Sequence, residues 1–553
     1  MEKNLYQLID NYLKKLANYL PVMTASDEFY FLPRAEASIN YLDRLETLRE
    51  KDVANIINLT EQALRQANKI AVFAEREKAD KEIFSNLLKS VLREFRDQKI
   101  HQTDATLYLK LCNIAIDHAW FVAERLDLDI DGILLSRLSS IPFLLKSGQE
   151  NIQKLSQLNK EIALEMVRDS IDFFDRDVRQ FVRERNSNSD FLEKVIEEVI
   201  SSLVQYQKFI EKVNSYPSFA AGKEYLQRVL QESYGCTKTI EEIYQIGQES
   251  FWQTMTELKS LSKKIDRNHS WQELLENYKK NWKENEDLLE IYRQEIDNLR
   301  TFLQQKDIVD LSNNIPVIVR ETPKYMRSLR AYASYNAPIN GKIAGVFFVT
   351  PPDDDLDLKE RKKLLNTVHR DYWLVVGHEV YPGHHLLDSF REKQKNLLLR
   401  QLENPMFYEG WAFYSEELLI DQGYVTEPLQ KLVQLKYQLW RALRVLLDID
   451  LHLGKKTIEE ATEELMKIGH VKSKAFNEAR RYTQTPGYQL CYTLGKHELK
   501  RLRKKYASKL GLKHFHNLIL NSGQIPFPFL EKKLEKAVKD KRDCYNSSEK
   551  APN

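Results

Sequence analysis

Tyr372-Trp373-Leu374-Val375-Val376-Gly377-His378-Glu379-Val380-Tyr381-Pro382-Gly383-His384-His385 is the stretch on which the fold turns. Five apolar or aromatic residues, Tyr372 to Val376, run into a histidine and a glutamate, and two more histidines follow a proline and a glycine. Histidine and glutamate are the usual ligands of a catalytic zinc with one open position. The zincin pattern H-E-x-x-H puts two histidines on one helix face, with the glutamate between them as general base. Here the pattern is stretched. On an unbroken helix His378 and His384 would be about 9 Å apart along the axis and out of phase. His378 and His385 would be in phase but about 10 Å apart. Pro382 lacks the N–H that would bond residue 378, and Gly383 tolerates an irregular backbone. A bulge that absorbs Pro382-Gly383 restores the spacing. His384 is then the preferred second ligand and His385 the alternative. The loser of the two bonds substrate or supports a ligand.

A third ligand is needed. Downstream, Pro405-Met406-Phe407-Tyr408-Glu409-Gly410-Trp411-Ala412-Phe413-Tyr414-Ser415-Glu416-Glu417 reads as a helix with Pro405 in its first turn. Glu409 and Glu416 are seven apart and share a face. Phe407, Trp411 and Phe413 mark the helix as buried, where a lone carboxylate is costly. Glu409 stands where glutamate-type zincins place their last ligand. Glu416 is expected behind a histidine, and Glu417 in solvent.

The surroundings are mostly helical. The first glycine is Gly132, and only Pro21 and Pro33 precede it. Apolar residues recur three and four apart over Ala35 to Ala67, Ala105 to Leu126 and Gln149 to Arg185. Thr239-Ile240-Glu241-Glu242 and Thr457-Ile458-Glu459-Glu460 read as capping boxes. Near residue 310 the texture changes. Ile315-Pro316-Val317-Ile318-Val319 and Ala344-Gly345-Val346-Phe347-Phe348-Val349-Thr350 are strand candidates. The expectation is a mainly α protein with one small β-sheet just before the histidine cluster. A helical lobe would span 1–310, a metal-binding catalytic lobe 311–540, and a polar tail 541–553.

The 553 residues are 42% hydrophobic and 30% charged, a globular composition. With 83 basic and 81 acidic side chains the net charge is +2, no footprint for nucleic acid. Even the run from Asp353-Asp354-Asp355 to Lys359-Glu360-Arg361-Lys362-Lys363 alternates in sign and reads as a solvated face. Cys112, Cys236, Cys491 and Cys544 are scattered, without CxxC, and read as free thiols. No apolar stretch reaches the length of a membrane span, and the N-terminus lacks a signal-type apolar core. A cytoplasmic protein without a membrane partner is expected.

At its two motifs the sequence resembles a bacterial family called domain of unknown function 885, marked by H-E-x-x-P-G-H-H and E-G-W-A-x-Y-x-E. Both stand complete here, at 378–385 and 409–416. A third mark, R-Y-x-x-x-P-G-Q-x-x-x-Y-x-x-G, corresponds to Arg481 through Gly495, with Tyr488 where the family has glutamine. The strand Gly345 to Val349 resembles the family's glycine-aromatic strand, and similarity is strongest from about 310 to 505. The resemblance implies a gluzincin-type, mainly helical metallopeptidase relative and leaves the substrate open.

The expected function is a zinc-dependent hydrolase, a peptidase acting on a peptide or amide. Zinc, or another divalent metal in the same ligands, would sit on His378, His384 and Glu409. Glu379 would be the base, and Tyr492, Tyr488 or His385 would donate to the oxyanion. Arg481 would meet a substrate carboxylate or fix its own helix, and an extended peptide would lie as a strand beside Gly345–Val349. The rivals are a zinc hydrolase or lyase on a small non-peptide amide, and an inactive helical binding protein.

Overall fold

The computed structural model describes residues 4–185, 189–283, 286–312, 315–327, 331–338, 344–352 and 356–548. Asp353–Asp355 and residues 549–553 of the expected tail lie outside these, as does the side chain of Cys544. The chain is mainly helical. It divides into two compact units.

The first unit comprises Met1–Phe219, Pro323–Arg330 and Asn396–Glu403. Its long helices include Leu5–Tyr19, Glu50–Lys69, Glu75–Leu92, Thr106–Leu126, Ile130–Asn151, Gln157–Asp172 and Ser189–Lys212. The expected run from Ala35 is interrupted. A short 3-10 turn covers Glu36–Tyr41, and the helix opens only at Glu50. The run from Gln149 is split by strand β1 (Lys154–Ser156), which pairs in parallel with β2 (Asn214–Tyr216). Tyr12, Phe84, Tyr108, Trp120 and Tyr206 fill the core. Two ionisable groups are buried there too. Arg137 donates to the Ala115 carbonyl, and Glu46 accepts the N–H groups of Val22 and Met23 at 2.8 and 2.6 Å.

The second unit comprises Ala220–Thr322, Ala331–Lys395 and Asn404–Asn553. A boundary near 310 was expected, yet residues 220–310 belong with this unit; the change of texture marks its sheet. The sheet holds β3 (Val317–Glu321), β4 (Ala333–Asn336) and β5 (Gly345–Val349) in the order β3-β5-β4. β3 runs parallel to β5, with Val317 opposite Gly345, and β4 runs antiparallel, with Tyr335 opposite Phe347. All five β5 residues are buried, as a central strand requires. β4 was not expected, because Ala333-Ser334-Tyr335-Asn336 has no apolar alternation. Both expected capping boxes form, and Ser270 and Glu273 make a third. The last helix continues to Ser548, so the polar run expected as a tail from 541 is helical as far as it is described. Cys112, Cys236 and Cys491 are buried free thiols. Among the described residues, no helix is long and apolar enough to cross a membrane.

Pro405–Asp421 is the central helix of this unit. Asn404 caps it by accepting the Phe407 N–H, and Pro405 opens it. It is apolar on nearly every side and correspondingly buried. It crosses the Cys491–Leu510 helix at two glycines. A Cβ on Gly410 would fall 2.4 Å from the Gly495 Cα, and one on Gly495 1.9 Å from the Met406 carbonyl oxygen. The backbones therefore touch, which brings residue 409 of one helix to residue 492 of the other.

Candidate metal centre

The stretched motif folds by breaking its helix. Tyr372–Glu379 ends directly after the glutamate, where Val380 and Tyr381 both donate to the Val376 carbonyl, at 2.8 and 3.1 Å. The Tyr381–Pro382 peptide is cis. At Gly383 the chain folds back so tightly that a Cβ would lie 1.7 Å from the His378 carbonyl oxygen. Any other residue would collide there. The helix His384–Arg391 starts at once. The bulge is tied to the central helix, since the Pro382 carbonyl accepts the Trp411 indole N–H at 2.8 Å and the Ser415 hydroxyl at 3.3 Å. Pro382 and Gly383 are thus taken out of the helical count. The His378 and His384 ring centroids end 4.8 Å apart.

Three ligand-type atoms converge. Nε2 of His378 and Nε2 of His384 each lie 3.6 Å from Glu409 Oε2. One ligand atom from each of the three residues lies within 4.8 Å of the others, and all three residues are buried. The other atoms of two of these groups are occupied. His378 Nδ1 meets Glu416 Oε1 at 2.8 Å. An N–H on Nδ1 leaves a lone pair on Nε2, the tautomer a metal needs. Glu409 Oε1 accepts the hydroxyls of Tyr488 and Tyr492, at 2.5 and 2.9 Å. Its Oε2 is buried without a hydrogen bond. A buried carboxylate oxygen left bare costs about 1–3 kcal/mol or more.

The electrostatics agree with a cation-seeking centre. Burial alone would depress His378, but the Glu409 and Glu416 carboxylates outweigh it and hold the imidazole up at about 9. Burial pushes Glu409 upward, yet the two histidines carry it well below the usual carboxylate range. Behind the cluster, Arg441 grips both Glu416 oxygens, at 2.9 and 3.0 Å. Its guanidinium also lies over the Phe413 and Tyr492 rings, at 4.5 and 5.5 Å.

His385 is not in the cluster. Its Nε2 donates to the Ile315 carbonyl at 2.7 Å, and its Nδ1 meets the Tyr335 hydroxyl at 3.2 Å. Both ring nitrogens are committed to the sheet region, so His385 serves neither as a ligand nor as an oxyanion donor. The His384 ring instead stacks on Tyr408 at 3.9 Å, and the Tyr408 hydroxyl is held by Asp388 at 3.1 Å.

Three further expectations need correction. Tyr488 and Tyr492 direct their hydroxyls at Glu409, which removes them as free oxyanion donors. Arg481 pairs with Glu478 at 2.6 Å on its own helix, and among the described residues no hydrogen bond or ion pair joins it to the cluster. A peptide strand cannot add beside Gly345–Val349 either, because β5 is paired on both sides.

Glu379 lies beside the cluster, where its charge helps to raise His378. It is half-buried, and no hydrogen bond or ion pair holds it among the described residues.

Arg441, Arg444 and Asp448 were missed in the sequence. They lie on one face of the helix Pro428–His452 at steps of three and four. Arg444 donates to Gln489 Oε1 at 2.7 Å, and Asp448 accepts the Gly487 and Gln489 N–H groups at 3.0 and 2.9 Å. That clamp fixes the turn that carries Tyr488. Charges recurring on an otherwise apolar helix face were the available signal.

A family model covers residues 33–534, and it is described as a bacterial protein of unknown function, DUF885. The chain belongs to the DUF885 family. Two solved structures share the fold of this DUF885 protein. One is a candidate lipoprotein of unknown function from Shewanella oneidensis, 22% identical with a TM-score of 0.75, covering 96% of this chain and 99% of that one. The other is a candidate lipoprotein from Colwellia psychrerythraea, 17% identical with a TM-score of 0.74, covering 98% and 99%. None of the curated proteins matches the sequence.

Proposed function

We propose that this DUF885 protein is a zinc-dependent hydrolase, a metallopeptidase acting on a peptide or amide bond. One observation carries the reading. Two imidazole Nε2 atoms and a carboxylate oxygen without a hydrogen bond converge in a buried site, beside a glutamate that no hydrogen bond or ion pair holds among the described residues. Two nitrogens and one oxygen suit zinc and leave a coordination position open. Manganese, cobalt or iron are compatible with the same ligands.

His378, His384 and Glu409 would hold the metal. Zinc there would supply a Lewis acid that lowers the pKa of water and polarises a carbonyl. Glu379 would accept the proton from water and return it to the leaving amine. Glu416 would keep His378 in its Nδ1–H tautomer, with Arg441 holding Glu416. Tyr488 and Tyr492 would occupy Glu409 Oε1, so that only Oε2 faces the metal.

The gluzincin-type fold is part of the same proposal. The small-amide hydrolase or lyase would use these residues unchanged, and a peptide-library cleavage assay separates it. An inactive binding protein has no need of the bare Glu409 oxygen. A cytoplasmic location also stands as a proposal. The lipoprotein descriptions of the two similar structures favour an envelope location instead, and cell fractionation decides between them.

Glu379→Gln tests the mechanism. The variant is expected to keep zinc and lose hydrolysis by at least about a hundredfold, within the range for a missing general base. Undiminished turnover would refute the assignment of the base.

A further inference from the structure

A cavity opens one helical turn along from the ligands, within the same unit. Glu409 and Phe413 are four apart on one helix, as are Tyr492 and Lys496 on another, and such pairs share a face. Phe413 and Lys496 line this cavity. Its volume is about 460 Å³, within the range of small-molecule sites.

One wall is a continuous stripe of the Cys491–Leu510 helix: Thr493, Lys496, His497, Lys500, Arg501 and Lys504. The spacing of three and four places all six on one face. Glu249, Ser250 and Gln253 stand opposite, on the Ile240–Ile265 helix.

The donors of that stripe are only partly used. Lys496 is 5% exposed. Its ammonium donates to Glu417 Oε2 and to Gln438 Oε1, each at 2.6 Å, and lies 4.1 Å from the centre of the Phe413 ring. Thr493 is 4% exposed, and its hydroxyl has no hydrogen-bond partner. Lys500 gives one N–H to Glu417 at 2.5 Å. Lys504, exposed at the rim, has no ion pair among the described residues. A buried hydroxyl without a partner beside a buried ammonium is costly unless something fills the cavity. Arg501 is satisfied by Glu498 and Glu531 and adds little.

We propose that this cavity is a second binding site, for a small organic anion bearing a carboxylate or phosphate group. Thr493 and Lys496 hold the anionic group at the base, and Lys500 and Lys504 attract it at the rim. Glu249 on the facing wall excludes ligands with a second negative charge at that end and accepts a donor there. The proposal does not depend on metal at the His378–His384–Glu409 cluster, and its test needs no catalysis.

Isothermal titration of the full chain with inorganic phosphate and with glycolate, a monocarboxylate whose hydroxyl can donate to Glu249, tests the site. One-to-one saturable binding of at least one probe is expected, and the responding probe tells phosphate from carboxylate recognition. Lys504→Glu and Thr493→Val should each weaken that binding at least about tenfold. Lys208→Glu, an exposed lysine of the first unit, should leave it unchanged. Lys504→Glu changes only an exposed side chain, so its loss of binding does not come from misfolding. Absence of saturable binding for both probes, or binding that both cavity variants retain, would overturn the proposal.

Discussion

Glu409 carries more of the centre than a ligand count conveys. One oxygen is held by two phenols and the other is bare, so the carboxylate is oriented before any cation arrives. Preorientation of this kind is worth about ten- to a hundredfold in metal affinity. Tyr488→Phe removes the 2.5 Å partner and leaves Tyr492 in place. Zinc affinity, measured by chelator competition, should fall about tenfold while the fold is kept. Unchanged affinity would show that the phenol does not orient Glu409. At this scale the sequence was informative where residue type restricts chemistry. The convergence of His378, His384 and Glu409, with Glu416 behind His378, was legible from residue type and spacing. The choice of His384 over His385 followed from the proline-glycine bulge. The roles of Tyr488 and Tyr492 were not readable, because a tyrosine's partner depends on a helix crossing that no local pattern encodes.

The two central helices meet through glycines, and that contact sets the centre's geometry. A methyl on Gly410 would lie 2.4 Å from the Gly495 Cα, against backbone that has no room to yield. Gly410→Ala should therefore destabilise the protein by about 2–3 kcal/mol, measured by urea denaturation, and loosen zinc along with it. A variant as stable as the parent would mean that the helices are not in backbone contact. Helix existence was legible from periodicity and from Thr239, Thr457 and Pro405. The break between Glu379 and His384 was legible because proline and glycine stood together. Strand β4 was not, since Ala333-Ser334-Tyr335-Asn336 pairs through its backbone and lacks a strand-like side-chain pattern. The central position of β5 likewise depended on that missing strand.

Across the whole molecule the sequence conveyed a mainly helical chain, but placed the division into units about a hundred residues late. Long-range contacts decide such a division, and composition does not record them. Buried charges leave a second imprint at this scale. Burial pushes Glu46 up to about 7, only partly offset by the backbone N–H groups of Met23 and Val22 and by Arg137. Its folded pKa exceeds the ordinary carboxylate value, so the native state holds a proton that the unfolded chain releases. Stability from this group is fully present below about pH 4.5 and is lost as pH rises towards 7. Glu46→Gln keeps an acceptor for both backbone N–H groups and removes the charge. Its stability relative to the parent should rise by roughly 3 kcal/mol between pH 4.5 and pH 8. A pH-independent difference in urea midpoints would contradict that.

The centre itself is tested most directly by elemental analysis of the purified full chain and four single variants. One zinc per chain is expected in the parent and in His385→Ala. Its loss is expected in His378→Ala, His384→Ala and Glu409→Ala. Stoichiometric zinc in any of those three, or its loss in His385→Ala alone, would contradict the ligand set and the hydrolase built upon it.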